Sequence, residues 1–263
     1  MARTRIDALL VERGIFESRA KAAAAIMAGQ VLIGIGREPA SKSGQLVDPD
    51  VDLAVRGGKE YVSRGGHKLS SALDALGITV EGRRWLDVGI STGGFTDCLL
   101  QRGASSVVGV DVAYGQVAWS VSQDPRVTVL ERTNARELQA EQVGEPVDAV
   151  VADVSFISLT KVLPAVATCV APQFDALLMV KPQFEVGKDR VGKQGVVRDE
   201  ADRRSAVAAV AAAAVELGWA IAGAAPAGLP GPKGNRETFL HLVEGERPGA
   251  VTELTAEIQA GIA

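Results

Sequence analysis

Cysteine is scarce in this chain of 263 residues: Cys98 and Cys169 are the only two, far apart and outside any C-x-x-C pair. That spacing offers neither a disulfide framework nor a thiolate metal site, so no metal is expected and a reducing cytoplasm fits best. Also missing is any run of about 18 uncharged apolar residues, the length that spans a bilayer. The nearest approach, AVAAVAAAAVELGWAIAG at 206–223, is mostly alanine, carries Glu216, and reads as helix, turn and strand. The opening MARTRIDALLVERG has no unbroken apolar core of the signal-peptide kind. No internal repeat and no low-complexity tract is present. Nor is there an excess of positive charge: 28 Lys and Arg face 32 acids, a formal net charge of −4, which alone argues against a nucleic-acid partner.

The distribution of that charge argues the other way. Residues 1–47 hold Arg3, Arg5, Arg13, Arg19, Lys21, Arg37 and Lys42 against Asp7, Glu12, Glu17 and Glu38, so this stretch is positive and the remainder carries the acidity. In RIDALLVERG, Ile6, Leu9, Leu10 and Val11 fall at helical spacing and Gly14 is a stop. Ser18 can cap a second helix with Ala20, Ala23, Ala24 and Met27 on one apolar face, ending at Gly29 before the strand-prone VLIGI. RIDALLVERGIFESRAKAAAAIMAGQVLI resembles an S4 domain, a small α+β RNA-binding fold, through Arg5, Asp7, Leu10, Ser18, Arg19 and Gly29. The resemblance spans residues 1–60 and implies RNA contacts at Arg5, Arg19 and Lys21, with Arg3 beside them. RGGKEYVSRGGHKLSSAL follows as a glycine-rich basic linker (59–66), with Ser70 or Ser71 able to begin the next helix.

From residue 85 on, strand-like segments (WLDV, 106–111, 127–130, 148–153 and 175–181) alternate with helix-like ones. That rhythm predicts an α/β fold over 61–263: a doubly wound, mostly parallel sheet with its ligand beyond the C-terminal strand ends. The loop LDVGISTGGFTD decides what the ligand is. A dinucleotide fingerprint spaces its glycines G-x-G-x-x-G to admit a pyrophosphate. Here Gly89, Gly93 and Gly94 make a wider loop, and Asp87 sets a carboxylate where a phosphate would be repelled. A nicotinamide oxidoreductase is disfavoured on that spacing and on the absence of an obvious hydride-transfer acid. Asp111, about 20 residues on at the next strand end, suits ribose hydroxyls. The pattern resembles motif I of class I, Rossmann-like S-adenosylmethionine-dependent methyltransferases. The cofactor set so implied is Asp87, Gly89, Ser91, Gly93, Gly94, Phe95, Asp111 and Asn134, with the glycines against the methionine moiety, Asp111 on the ribose and Asn134 at the adenine.

Two further strand ends carry Asp153 and Lys181. A lysine at the end of an apolar strand, partly desolvated and near a second cation such as Lys68, gives up its proton more readily and can serve as a general base. Glu237, at the start of the last strand, can orient one of them. Each has a bland alternative: lysines reach out to water, and aspartates after strands cap helices. Together RGGHKL, VADVSFISL, MVKPQF and NRETFLHL resemble the Lys-Asp-Lys-Glu tetrad of FtsJ-type ribose 2'-O-methyltransferases. With the S4-like module, the chain resembles the TlyA family, whose members methylate cytidine 2'-hydroxyls of ribosomal RNA and also go by the name hemolysin A. The resemblance implies ribosomal RNA or ribosomal subunits as partner, Lys181 as base, and Lys68, Asp153 and Glu237 as its positioning groups. Ile90 departs from the pattern, standing where a small residue is expected and where a bulky one would crowd the cofactor loop. His67 and His241 read as structural or solvent-facing. The long loop after Lys181, with Lys188, Arg190, Lys193 and Arg198, is expected beside the active site and on RNA. Two alternatives remain: a membrane-active hemolysin, which would need an insertion segment, and an RNA-binding protein with weak or lost catalysis.

Overall fold

The computed structural model describes residues 3–16, 18–34, 36, 38–55 and 61–263. The chain divides into two units, Met1–Glu60 with Ala118–Asp124, and Tyr61–Val117 with Pro125–Ala263. The excursion of Ala118–Asp124 into the first unit has no counterpart in the sequence pattern.

In the first unit, helices α1 (Ile6–Glu12) and α2 (Arg19–Met27) accompany a three-stranded sheet of Glu38–Pro39, Val31–Ile33 and Leu53–Val55, and a two-stranded pair of Thr4–Arg5 and Leu46–Val47. The Ser18 hydroxyl accepts from the Lys21 amide at 3.3 Å, capping α2 as expected. The buried face of α2 is a correction. Ala22, Ala25 and Ile26 pack on Ile6, Leu9 and Leu10 of α1, whereas Ala20 and Ala24 are exposed and Met27 is 80% exposed. After Lys21 the helix carries no polar side chain to mark its outer face, so the stripe follows its bulkiest residue, Ile26, which has most to gain from burial.

The second unit is built on strands β1 (Arg84–Val88), β2 (Ser106–Val110), β3 (Val127–Leu130), β4 (Val147–Ala152), β5 (Val170–Val180), β6 (Trp219–Pro226) and β7 (Thr238–Glu244). Their order is β3-β2-β1-β4-β5-β7-β6, parallel except for β7, which runs against both neighbours. Both faces are buried. Leu86, Val88, Val108, Val110, Val150 and Leu178 form one core, while the alternate residues Trp85, Val107, Val151, Leu177 and Met179 form the other. This explains runs of unbroken apolar residues rather than alternation, and each such side chain contributes about 1.5–3 kcal/mol by leaving water. Helices α3 (Arg64–Leu76) and α4 (Gly94–Gln101) supply residues to the second core, and α5 (Glu200–Glu216) to the first. The alanine-rich stretch is thus helix α5, a turn and β6, and no helix among the described residues is long and apolar enough to cross a membrane.

Residues 59 and 60 of the expected linker lie outside the described residues, and 64–66 belong to α3, which starts earlier than Ser70. Ser63 caps it, accepting from the Gly65 amide at 3.2 Å. The glycines that read as a linker are there for packing: a Cβ on Gly66 would meet the Tyr61 side chain at 2.3 Å.

Candidate active site

The strand order reverses between β1 and β4, and loops leaving their C-terminal ends on opposite sides open a crevice there. A cavity of about 410 Å³ occupies this edge, lined among others by Gly89, Ser91, Asp111, Asn134, Asp153 and Phe156. Its size is that of a small-molecule site. Gly89 takes φ +85°, and a Cβ there would meet the Asp153 carbonyl oxygen at 2.6 Å, so only glycine lets the loop after β1 close on the end of β4.

The acids behave differently from one another. Asp111 accepts the Ser91 amide on one oxygen at 2.8 Å and the Ala113 amide on the other at 2.9 Å. Each oxygen keeps a lone pair for a ligand hydroxyl. Asp87 is fully buried behind the cavity lining. One of its oxygens accepts the Thr96 amide (3.1 Å) and hydroxyl (2.6 Å), and the other has no partner. Burial pushes this carboxyl up to about 7; Thr96 opposes the shift, and the negative charges of Asp153 and Asp111 add to it.

Of the sequence-expected cofactor set, Gly89, Ser91, Asp111 and Asn134 line the cavity, whereas Asp87, Gly93, Gly94 and Phe95 do not. Gly93, at φ +90°, turns the chain into α4. Gly94 lets that helix start against Ser63, whose hydroxyl a Cβ would meet at 2.0 Å, and Phe95 is a core residue whose ring centroid lies 5.7 Å from that of Phe239. Asn134 also caps the short helix Ala135–Glu137, accepting from the Arg136 amide at 3.2 Å. Ile90 corrects an expectation. It is buried and absent from the lining, and it fills the space left by Gly109 of β2, where a Cβ would meet its Cδ1 at 2.3 Å. The cofactor loop is therefore not crowded.

The four tetrad residues meet at the same edge as two ion pairs. Lys181, following β5, pairs with Asp153, following β4, and donates to the Ser155 hydroxyl at 2.9 Å. Lys68 of α3 donates to Glu237 at 2.5 Å, with 8% and 2% of their side chains exposed. Because β7 is antiparallel to β5, with Val180 opposite Thr238, the residue that enters it, Glu237, falls at the edge that carries Lys181. Lys68 is thus not a bare second cation for Lys181, because it has a carboxylate of its own.

Ser155, Phe156 and Phe184 were not legible as site residues. Phe156 is 92% exposed with φ +65°, lines the cavity mouth, and lies 5.4 Å from the ring of Phe184. In a chain with six phenylalanines, one placed three residues beyond a strand-end acid is the signal that was available. Lys188, Arg190 and Lys193 are exposed, with Arg190 reaching Asp202 at 3.3 Å. In the first unit Arg5 and Arg19 both bind Asp7, at 2.9 and 3.0 Å, while Arg3 and Lys21 are exposed. His241 pairs with Asp175 at 2.8 Å, a structural role away from the crevice.

The comparisons agree with this geometry. A family model described as FtsJ-like methyltransferase matches residues 61–243. A Mycobacterium tuberculosis protein named 16S/23S rRNA (cytidine-2'-O)-methyltransferase TlyA is 54% identical over 91% of this chain and 90% of its own. Hemolysin A of Brachyspira hyodysenteriae is 35% identical over 91% and 99%. A solved structure from Streptococcus thermophilus, assigned as a hemolysin, covers 99% of this chain and 94% of its own at TM-score 0.73 and 36% identity. On this sheet order, this strand-end constellation and these matches, the chain belongs to the FtsJ-like methyltransferase family.

Proposed function

We propose that this protein transfers a methyl group from S-adenosylmethionine to the ribose 2'-hydroxyl of a cytidine in ribosomal RNA, acting on the RNA or on ribosomal subunits. The observation that carries the proposal is the pairing of Lys181 with Asp153, which lines the cavity edged by Gly89 and Asp111, while the Lys68–Glu237 pair stands at the neighbouring strand end. The name of the M. tuberculosis relative supports the acceptor. The cavity fits the donor: its volume is adequate, Asp111 has free lone pairs for ribose hydroxyls, and the buried Asp87 carboxyl, with one oxygen left without a partner, favours a cationic ligand. When bound, S-adenosylmethionine supplies a sulfonium-borne methyl group open to in-line displacement by an oxygen.

The chain's own residues do the rest. Asp153 and Ser155 hold the Lys181 nitrogen at the crevice, where, having released a proton, it accepts the one leaving the acceptor hydroxyl. Glu237 fixes Lys68 as a positioning cation. Phe156 and Phe184 offer a stacking surface for the base of a nucleotide drawn out of its helix. The N-terminal unit acts as an S4-like RNA-binding domain through Arg3, Arg5, Arg19 and Lys21, and the loop bearing Lys188, Arg190 and Lys193 adds phosphate contacts near the reaction. Such a reaction places the protein in the cytoplasm with ribosomes. The name hemolysin in two relatives keeps a membrane activity as the alternative, to which no described helix lends support.

The test is transfer of labelled methyl from S-adenosylmethionine to purified 30S and 50S subunits lacking the modification. Label is expected as 2'-O-methylcytidine, with Lys181→Ala lowering the rate about 10²–10⁴-fold, the range of general acid–base catalysis. Wild-type protein that binds cofactor and RNA yet transfers nothing sinks the proposal.

A further inference from the structure

Deepening that reading and resting on it, we propose that Glu185 is a positioning residue: a latch that ties the loop after β4 to the loop after β5 and so sets Asp153, Ser155 and Phe156 in register with Lys181 and Phe184. The two loops come from adjacent parallel strands and share no covalent constraint. Nevertheless the chemistry requires that groups on one meet groups on the other: Lys181 on Asp153 and Ser155, Phe184 against Phe156. Outside those reacting groups, Glu185 makes the polar connection. It ends the short helix Pro182–Glu185, four residues past Lys181, and reaches across to the loop after β4. One carboxylate oxygen accepts the Ser158 hydroxyl at 2.5 Å, and the other accepts the Leu159 amide at 2.9 Å. The latter is a free N–H in the first turn of the helix Leu159–Lys161, where a carboxylate is well matched.

Three features separate a latch from a surface contact. The carboxyl is half-buried, and its burial raises it above the ordinary range against the pull of Ser158 and Leu159, so its placement costs free energy that a lone surface residue would not spend. Its two acceptor oxygens are used by two different donors, which fixes the loop's position and orientation. Phe156, by contrast, is 92% exposed with a positive φ, so little else holds that ring in place. The mouth of the crevice is then set by Glu185 at one end of the loop and by Lys181 at the other.

The experiment compares wild type, Glu185→Gln, Glu185→Ala and Ser158→Ala/Glu185→Ala. It reads five quantities: S-adenosylmethionine affinity, kcat and KM for undermethylated ribosomal subunits, melting temperature, and hydrogen exchange of amides 155–161. Expected are cofactor affinity within about twofold of wild type, kcat lowered about tenfold or more in the alanine variant and less in the glutamine variant, which keeps one acceptor, and faster exchange at 155–161. The double variant also removes the cap that the Ser158 hydroxyl gives the Thr160 amide at 3.1 Å, so any loss beyond that of Glu185→Ala measures the cap and not the latch. Unchanged kcat, or a loss that follows melting temperature alone with exchange at 155–161 unaltered, overturns the latch. Wild-type protein without transferase activity would overturn the functional reading instead. The latch would then stand or fall on the exchange result.

Discussion

Asp7 in the first unit and Asp87 in the second are both withdrawn from water, at 4% and 0% exposure, yet their surroundings are opposite. Asp7 takes two bonds from Arg5 (3.0 and 2.9 Å) and one from Arg19 (3.0 Å), and the Arg5 guanidinium above all holds its carboxyl well below the usual carboxylate range. Asp87 has a hydroxyl and an amide from Thr96 on one oxygen and nothing on the other, and burial pushes it up to about 7. The difference teaches that burial alone does not decide a carboxyl's charge; the partner does. Asp7 is completed within its own unit and pins two arginines on one spot. Asp87, with Asp111 and Asp153 adding negative charge, leaves a field that a cationic ligand can complete.

The sharpest way to break the comparison is to neutralise Asp87. Asp87→Asn keeps an acceptor for Thr96 and removes the buried charge, so at pH 8 the cofactor-free protein should gain on the order of 2–4 kcal/mol, at about 1.4 kcal/mol per pKa unit. S-adenosylmethionine affinity, read by calorimetry, should fall about tenfold. Equal affinity in variant and wild type would show that Asp87 is structural only. An apolar control comes next. Ile90→Ala leaves a hole against Gly109 and should cost about 2–4 kcal/mol in denaturant unfolding with cofactor affinity unchanged. Tighter cofactor binding would restore the crowding that the sequence implied.

The two aspartates also predict opposite pH dependences. Asp87, raised when folded, lends stability that is complete below its unfolded value of 3.8 and disappears as pH rises through about 7. Asp7, lowered when folded, lends stability that is complete above that same unfolded value and is lost as pH falls below it. Hydrogen exchange resolved by residue should therefore show β1 loosening between pH 4 and 7, and α1 loosening only in acid. The smallest effect is Asp7→Asn, a drop of a few degrees in the melting of the first unit, because Arg5 and Arg19 are about half exposed and water can replace their partner. A large loss there would mean the cluster is more than a local brace.

Much of the fold was legible because burial on both faces of a parallel sheet writes itself as apolar runs, so Leu86–Val88, Val107–Val110 and the segment ending at Val180 could be placed from sequence. Strand ends were legible for the same reason, and with them Asp111, Asp153 and Lys181. The face of α2 was not, since alanine on every side carries no polar mark, and the start of α3 was hidden by Gly65 and Gly66, which read as a linker but serve close packing. That Phe95 packs into the core was not legible, since an apolar residue at a helix start reads the same whether it faces a cavity or a core.

By itself, then, the sequence determined the sheet, the wide glycine loop and the polar residues at the strand ends, since these follow from local periodicity and from which residues tolerate burial. Tertiary structure alone decided which cation pairs with which acid, that Ile90 turns into the gap at Gly109, and that Phe156 stands exposed at the mouth beside Phe184. Those outcomes join residues as far apart as Lys68 and Glu237, and such contacts depend on strand order and register, which no local pattern encodes.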